Sequence, residues 1–477
     1  MIFNSIPFLL FFPIVIFIYY LVPDKYRYIW LLISSYFFYM CQSTSFVLLL
    51  LCSTIVTYVA GIVIHQMQSI TLRKWAVAIT VLLNAGILVF VKYADSVLGL
   101  CGSTYRFNFF IPIGISFYTL QSLSYVIDCY RQKIAPEKNM LRYALFVSFF
   151  PSILSGPINR AQDLLPELRC TKTMDLENVK CGMQKMLWGY FLKLVIAARL
   201  DIVVNTVYGN TEGYTGVGLL CGAVFYLLML YCDFEGYSQM AIGAARILGI
   251  TMKENFRQPF CSQSMGELWH RWHVSLSTWL REYVYFSLGG GRKGNVRKYI
   301  NMMLIFVLSG LWHGSNPTFL IWGILNGAFL IMGNILKDTR ERIAVKCGFD
   351  KRVRLRRITK RIGVFCLYCF TMIFFASESV AKAIKVITGI TTRFSAGAFV
   401  NGEIFTVGLG VYNMIFSVMM VVVVLIIDGF CDKYECEFSG LMKRVPTLYR
   451  WILYYSMIIL ILISSNLDGR EFIYSTM

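Results

Sequence analysis

Apolar runs close to the length needed to cross a bilayer, about 20 residues, recur along the whole chain with short polar breaks between them. The pattern predicts spans near 6–22, 28–41, 46–64, 75–93, 109–127, 184–200, 216–232, 302–314, 317–336, 362–376, 408–428 and 451–465. Runs 28–41 and 302–314 are short for a full crossing. Run 142–158 is cut by Pro151 and by Ser155-Gly156-Pro157, so it reads as re-entrant. Such breaks survive at membrane depth only where protein or a water-filled cavity satisfies the freed backbone groups. The expected fold is therefore all-α: a multi-pass integral membrane protein of roughly eleven transmembrane helices, with short broken, re-entrant and interfacial helices between them. The first run begins almost at once, without a basic n-region or a small-residue cleavage site, and reads as a retained span. No repeat of 20–50 residues and no low-complexity stretch interrupts the series, and the expected organisation is one membrane domain over 1–477.

Composition supports a lipid environment. Of the 477 residues, 57% are apolar, 16% aromatic and 15% charged, with a mean hydropathy of +0.61. Ordinary soluble domains carry roughly 25% charge. The net charge of +19 would suggest nucleic acid in a soluble chain, but here the cations lie between apolar runs and act first as topology signals. The strongest is 337–361, with eleven Lys/Arg against three Asp/Glu. It reads as a cytoplasmic loop that also meets anionic lipid. The fourteen cysteines lie mostly in or beside apolar runs, and the lone pair Cys366/Cys369 has no second ligand pair in reach, so they read as small core residues.

The longest polar regions are 159–183 and 251–300, and chemistry must come from these or from the membrane body. Ser264 followed by Glu267 starts a capping box. Met265, Leu268, Trp272, Leu276, Trp279 and Tyr283 then repeat at helical spacing, opposite Arg271, Ser275, Thr278 and Glu282. This predicts one amphipathic helix over 264–286, lying in the interface or against the bundle. His273 falls on the edge of its apolar face, and two readings stay open: a hydrogen-bonded packing histidine or a functional one. Gly289 to Gly294 reads as a flexible helix terminus, since a glycine run alone is weak support for a phosphate cradle.

The stretch 302–314 is apolar with one ionisable group, His313, between Gly310 and Gly314 and before the helix-breaking Pro317. An ionisable side chain inside a membrane segment is a functional candidate by default. Histidine titrates near neutrality and suits proton transfer. The flanking glycines leave room either for a substrate beside the ring or for a neighbouring helix. Of the four histidines, His65 reads as lying in a short polar loop and His270 lies near His273. No carboxylate or cysteine pattern supports a metal site built from them.

Three pieces together, Trp269-His-Arg-Trp-His273-Val-Ser-Leu-Ser-Thr-Trp-Leu-Arg-Glu-Tyr-Val, Leu288-Gly-Gly-Gly-Arg-Lys-Gly294 and Ser309-Gly-Leu-Trp-His313-Gly314, resemble the membrane-bound O-acyltransferase (MBOAT) family, in particular its bacterial alginate O-acetyltransferase-like branch. Pro112-Ile-Gly-Ile-Ser-Phe-Tyr118, Leu154-Ser-Gly-Pro157 and Asp233-Phe-Glu-Gly-Tyr237 add to it in the same order, so the motif-bearing core spans about 110–336. His270 stands where the family usually has Arg or Asn, and Phe472-Ile-Tyr474 is followed by Ser-Thr-Met rather than by more aromatics. The resemblance implies His313 as the principal catalytic histidine and His273 as the second. It also implies a funnelled helical body with a cytosolic acyl donor and an acceptor reached from the other side. Trp269, Trp272, Ser277, Arg281, Trp312 and Asn316 are the candidate substrate-contacting residues.

The expected function is O-acyl transfer: an acetyl group taken from acetyl-CoA or another acyl thioester, with an acyl carrier protein as the other donor candidate, for O-acetylation of a cell-surface or secreted polysaccharide. No bound cofactor, metal or nucleic acid is expected. The implied partners are the lipid bilayer of a bacterial plasma membrane and either an extracytoplasmic acetyltransferase or the polysaccharide itself. Two other readings are D-alanyl transfer from a carrier-protein thioester toward teichoic acid and, from another class, a proton-coupled transporter. The transporter reading lacks repeated halves.

Overall fold

The computed structural model describes residues 1–477 except 42–43, 104, 106, 108–111, 349–351, 406 and 465–477. The tail after Phe472 and parts of the expected segments 109–127, 337–361 and 451–465 therefore lie outside the described residues. Among the described residues all regular structure is helical. Seven helices are long and apolar enough to cross a membrane: Phe46–Gln66, Ile70–Gly99, Gly216–Ile247, Pro317–Ile335, Val353–Ala376, Val411–Tyr434 and Thr447–Ser464. Ile6–Leu21 is a shorter apolar helix. Their outward faces are oily. Thr447–Ser464 buries Met457 alone, and Leu82 and Ile463 are 71% and 76% exposed. Surfaces of this kind are stable in lipid and not in water, so the chain is a multi-pass membrane protein.

The chain divides into two compact units, each with its own packing. The described parts of the first are Met1–Tyr190 and Tyr237–Glu254. It begins with a helical hairpin, Ile6–Leu21 and Asp24–Met40, turned by Val22-Pro23. Phe3, Phe8, Phe38 and Phe150 pack there with ring centroids 4.5–6.2 Å apart. The helix Ile115–Tyr130 is buried over nearly its whole length, with Ser116, Thr119, Gln121, Ser122 and Ser124 among its apolar side chains. The run expected to be broken at 142–158 is broken: Met140–Ser148 stops at Phe149, a new turn of helix covers Phe150–Ile153, and both are buried. Gly182 and Gly243 let two helices touch, because a Cβ on either would sit 2.6 Å from the other's carbonyl oxygen.

The described parts of the second unit fall within 191–236 and 255–464. Three expectations are corrected here. The span placed at 216–232 does not stop before the acidic residues but continues as one helix to Ile247. The reason is that Asp233 is neutralised by a short ion pair with Lys193, both buried. Breaking a buried pair by removing one partner leaves an uncompensated charge, typically at about 3–5 kcal/mol. The run expected at 184–200 is a helix interrupted by a π segment, Phe191–Ala197, which carries Lys193. The basic loop expected over 337–361 is largely helical: Lys337–Lys346 is one helix, and the next begins at Val353 and runs to Ala376. Lysine and arginine favour helix, and Glu341 joins the two helices through Arg356 and Lys360. In the first unit, His65 likewise lies in the last turn of Thr44–Gln66 rather than in a loop.

Candidate active site

The segment expected as one amphipathic helix, 264–286, is three pieces. Met265–Arg271 is a helix capped by Ser264, whose Oγ accepts from Glu267 N at 3.1 Å, while Glu267 Oε2 accepts from Gln263 N, one residue before the cap, at 2.8 Å. The chain then opens at Trp272 and His273, and helix resumes over Val274–Leu280 before a π turn at Arg281–Tyr285. His273 sits at the break with φ +42°, a left-handed conformation that a non-glycine residue adopts at a steric penalty. Apolar spacing could not reveal this, because the break is imposed from outside. Asn255–Arg257 docks along the segment: Val274 N donates to Asn255 O at 2.8 Å and Arg257 N to Arg271 O at 2.9 Å.

Asn255 is fully buried, and its side chain defines the state of His273. Its Oδ1 lies 2.9 Å from His273 Nδ1, 2.9 Å from Ser275 Oγ and 3.4 Å from Ser275 N. A backbone N–H can only donate, so the Asn255 atom facing it is the carbonyl oxygen. That oxygen accepts, so His273 Nδ1 carries the proton, and in the neutral ring Nε2 is the basic nitrogen. The ring is 2% exposed and stands edge-on to Phe234 at 4.7 Å. Burial pushes its pKa down to about 3, so it is neutral at physiological pH.

His313 ends the helix Asn295–His313 and is 4% exposed. Its ring is walled by Trp312, Trp322 and Phe375 at 5.0, 5.1 and 5.0 Å, with Phe319 at 6.3 Å. Trp312 also lies 6.0 Å from His273, so one indole neighbours both histidines. The glycines beside His313 do not leave space for a substrate. A Cβ on Gly310 would meet Phe319 O at 2.4 Å, and one on Gly314 would meet the Phe319 ring at 2.7 Å. Both positions are filled by the next helix, Pro317–Ile335, which also approaches through Gly323, 2.4 Å from Phe306 O by the same measure. Close backbone approach, not an open pocket, explains these glycines.

The six candidate contact residues separate into two groups. Trp269, Trp272 and Trp312 belong to the aromatic wall. Trp269 packs on Phe306, Trp322 and Tyr368 at 5.0, 5.7 and 5.9 Å, and Trp272 on Phe256 and Tyr368 at 5.0 Å each. The other three are engaged locally. Ser277 Oγ donates to Trp272 O at 3.3 Å, and Arg281 Nη1 lies 3.4 Å from the Nδ1 of the exposed His270. Asn316 caps the helix Pro317–Ile335 by accepting from Thr318 N at 3.1 Å, and donates to Glu378 O at 2.7 Å. Gly289 to Gly294 forms a tight turn with positive φ at Gly289, Gly290 and Gly294, tied by Asn301 Nδ2 to Gly290 O at 2.9 Å. Asn255, Trp322, Phe375 and Tyr368 complete the site and carry no local sequence signal. The arrangement offers two buried imidazoles, one with a fixed tautomer, in a surround of aromatic carbon.

Comparison with known proteins places these motifs in context. Residues 18–377 match the membrane-bound O-acyltransferase family. A probable alginate O-acetylase AlgI from Pseudomonas syringae pv. tomato is 39% identical over 342 residues, covering 69% of this chain and 65% of that protein, just under two thirds of its length. A peptidoglycan O-acetyltransferase from Helicobacter pylori is 28% identical over 393 residues, 76% of this chain and 73% of that one. A teichoic acid D-alanyltransferase from Bacillus subtilis is 29% identical over 248 residues, 48% of this chain and 60% of that one.

Proposed function

The chain belongs to the membrane-bound O-acyltransferase family, and from that premise we propose that it takes an acetyl group from a cytosolic thioester and moves it across the membrane for O-acetylation of a cell-surface or secreted polysaccharide. The donor is acetyl-CoA or another acyl thioester, a substrate rather than a resident cofactor. The membrane is a bacterial plasma membrane, with the basic segment 337–361 on the cytoplasmic side. Either an extracytoplasmic acetyltransferase or the polysaccharide itself takes up the acetyl group. Two features favour acetyl over D-alanyl transfer: the O-acetyltransferase relatives share more of this chain than the D-alanyltransferase does, and they include the higher identities.

The observation that carries the reading is the pair of buried histidines around Trp312. A neutral hydroxyl is a poor nucleophile and needs a base as it attacks. In the proposed step His313 takes the hydroxyl proton while that oxygen bonds to the thioester carbonyl carbon. Collapse of the tetrahedral intermediate breaks the C–S bond, and the same proton passes from His313 to the departing thiolate. His273 is held as the Nδ1–H tautomer by Asn255 and orients the acyl group. The aromatic surround excludes the water that would hydrolyse the thioester.

The test is His313→Gln, measured as acyl transfer per mole of folded protein. Loss of a positioned base lowers rates by about 10²–10⁴-fold, with insertion and thermal stability near wild type. Near wild-type turnover in that variant would remove His313 as the base.

A further inference from the structure

The first unit holds a second polar site, built from residues other than the histidines. A small cleft, open to solvent, is lined by Arg27, Arg142, Arg169 and Lys172, with Asp24 and Glu167. Its apolar floor includes Tyr19, Leu31 and Ile250, which are 4%, 2% and 1% exposed. Three of the four cations already have carboxylates. Arg27 pairs with Asp24 at 2.5 Å, Lys172 with Glu167 at 2.8 Å and Arg169 with Glu137 at 2.6 Å.

Arg142 differs. Its guanidinium lies over the Tyr28 ring, 4.9 Å from the centroid, and its Nε is buried. Among the described residues that guanidinium has no carboxylate and no hydrogen-bond acceptor. A buried N–H left without an acceptor is costly, and an anion bound at the half-exposed guanidinium would meet it. Its planar N–H pairs match phosphate oxygens two at a time.

The cleft also lies at the basic end of this unit. Arg73 Nη2 donates to Tyr130 O at 2.8 Å, Tyr58 Oη to Lys138 O at 2.8 Å, and Asn139 Nδ2 to Tyr28 Oη at 3.3 Å, which brings the polar ends of five helices together. Lys25, Arg27, Arg73, Lys74, Arg131, Lys133, Lys138 and Arg142 all fall in or beside these connections, whereas residues 1–5, 41–43 and 101–114 contain Arg106 alone. By the positive-inside rule the cleft opens toward the cytoplasm.

We propose that this cleft binds a phosphate-bearing ligand through Arg142, with Arg27 and Lys172 beside it. Two cytoplasmic sources share that chemistry: a soluble nucleotide thioester such as coenzyme A, and the headgroup of an anionic phospholipid. The apolar floor suits a ring or a glycerol moiety attached to the phosphate.

The test reads binding rather than turnover, so it stands apart from the proposed acyl transfer, and His313→Gln should leave it unchanged. Purified full-length protein in neutral detergent is titrated with coenzyme A by calorimetry. In parallel, retention of phosphatidylglycerol is measured by native mass spectrometry after reconstitution in phosphatidylcholine vesicles with and without it. Arg142→Gln should weaken one of the two by about tenfold or more, the typical effect of losing a charge-assisted pair, and Arg142→Lys should restore part of it. Loss on the coenzyme A arm assigns a soluble ligand, and loss on the lipid arm assigns a headgroup. On wild-type protein, with no variant needed, inorganic phosphate should compete where chloride of equal ionic strength does not. Saturable binding of neither probe, failure of phosphate to compete, or Arg142→Gln protein that binds both as wild type does would overturn the proposal.

Discussion

Gly310→Ala tests the packing that holds His313. The added methyl would sit 2.4 Å from Phe319 O, 3.1 Å from Phe319 C and 3.3 Å from Leu320 Cα. These are backbone atoms of the next helix, so no rotamer change relieves the contact. An ordinary contact is 3.4 Å or more, so the helices Asn295–His313 and Pro317–Ile335 must part by about 1 Å. Overpacking of this kind typically destabilises by about 1–3 kcal/mol. The same shift separates His313 from Trp322, now 5.1 Å away, and an error of about 1 Å in a reacting group can lower turnover by around 10²-fold. Gly363→Ala is the matched control. It lies inside the helix Val353–Ala376 with nothing within 4 Å of its Cβ position, and alanine there should be neutral or stabilising by up to about 1 kcal/mol. The assays are thermal unfolding in detergent and acyl transfer per folded molecule. A Gly310→Ala protein with wild-type stability and turnover would show that the two helices do not need this approach to hold the histidine.

Two further outcomes are expected. His273, with its pKa pushed down to about 3 from 6.5, binds fewer protons folded than unfolded between those values. Its contribution to stability is therefore complete above about pH 6.5 and falls as the pH drops through that window, by up to tenfold in the folding equilibrium per pH unit; melting curves of His273→Gln should show a shallower acid loss than wild type, and parallel curves would contradict it. Lys193→Met should destabilise by about 3–5 kcal/mol by leaving Asp233 charged and buried, and the pair Lys193→Met/Asp233→Leu should recover most of the loss in the same unfolding assay.

Class was legible in the sequence because it rests on quantities that sum along the chain: long apolar runs and a charge fraction of 15%. The alternation that produced the spans at 46–64, 75–93, 317–336 and 408–428 survives in helices. What was not legible is wherever a distant partner overrides a local rule. Asp233 reads as the end of a span until Lys193 is placed beside it. Trp272-His273 reads as mid-helix until Asn255 takes the Val274 N–H and Arg257 the Arg271 carbonyl, two backbone groups that a helix would have used. Gly310 and Gly314 permit a substrate or a helix equally, and only Phe319 decides between them. Each case is a contact between separate elements, which periodicity does not encode.

The break at His273 also explains why the two histidines can differ in role. In an unbroken helix, His273 would sit on a face set by its neighbours, its ring aimed wherever helical geometry directed it. The left-handed turn separates it from that face and gives its Nδ1 to a side chain from another segment. The strain of that conformation, of order 1–3 kcal/mol, persists because Asn255 bonds the ring, Ser275 and the Val274 N–H together. A group with one proton fixed and a pKa near 3 is a weak base, suited to orienting an acyl group and poorly suited to taking a proton from an alcohol. His313 stands at the C-terminal end of its own helix, buried under aromatic rings. The clamp on His273 therefore supports the proposed division of labour, in which His273 orients the acyl group and His313 takes the proton.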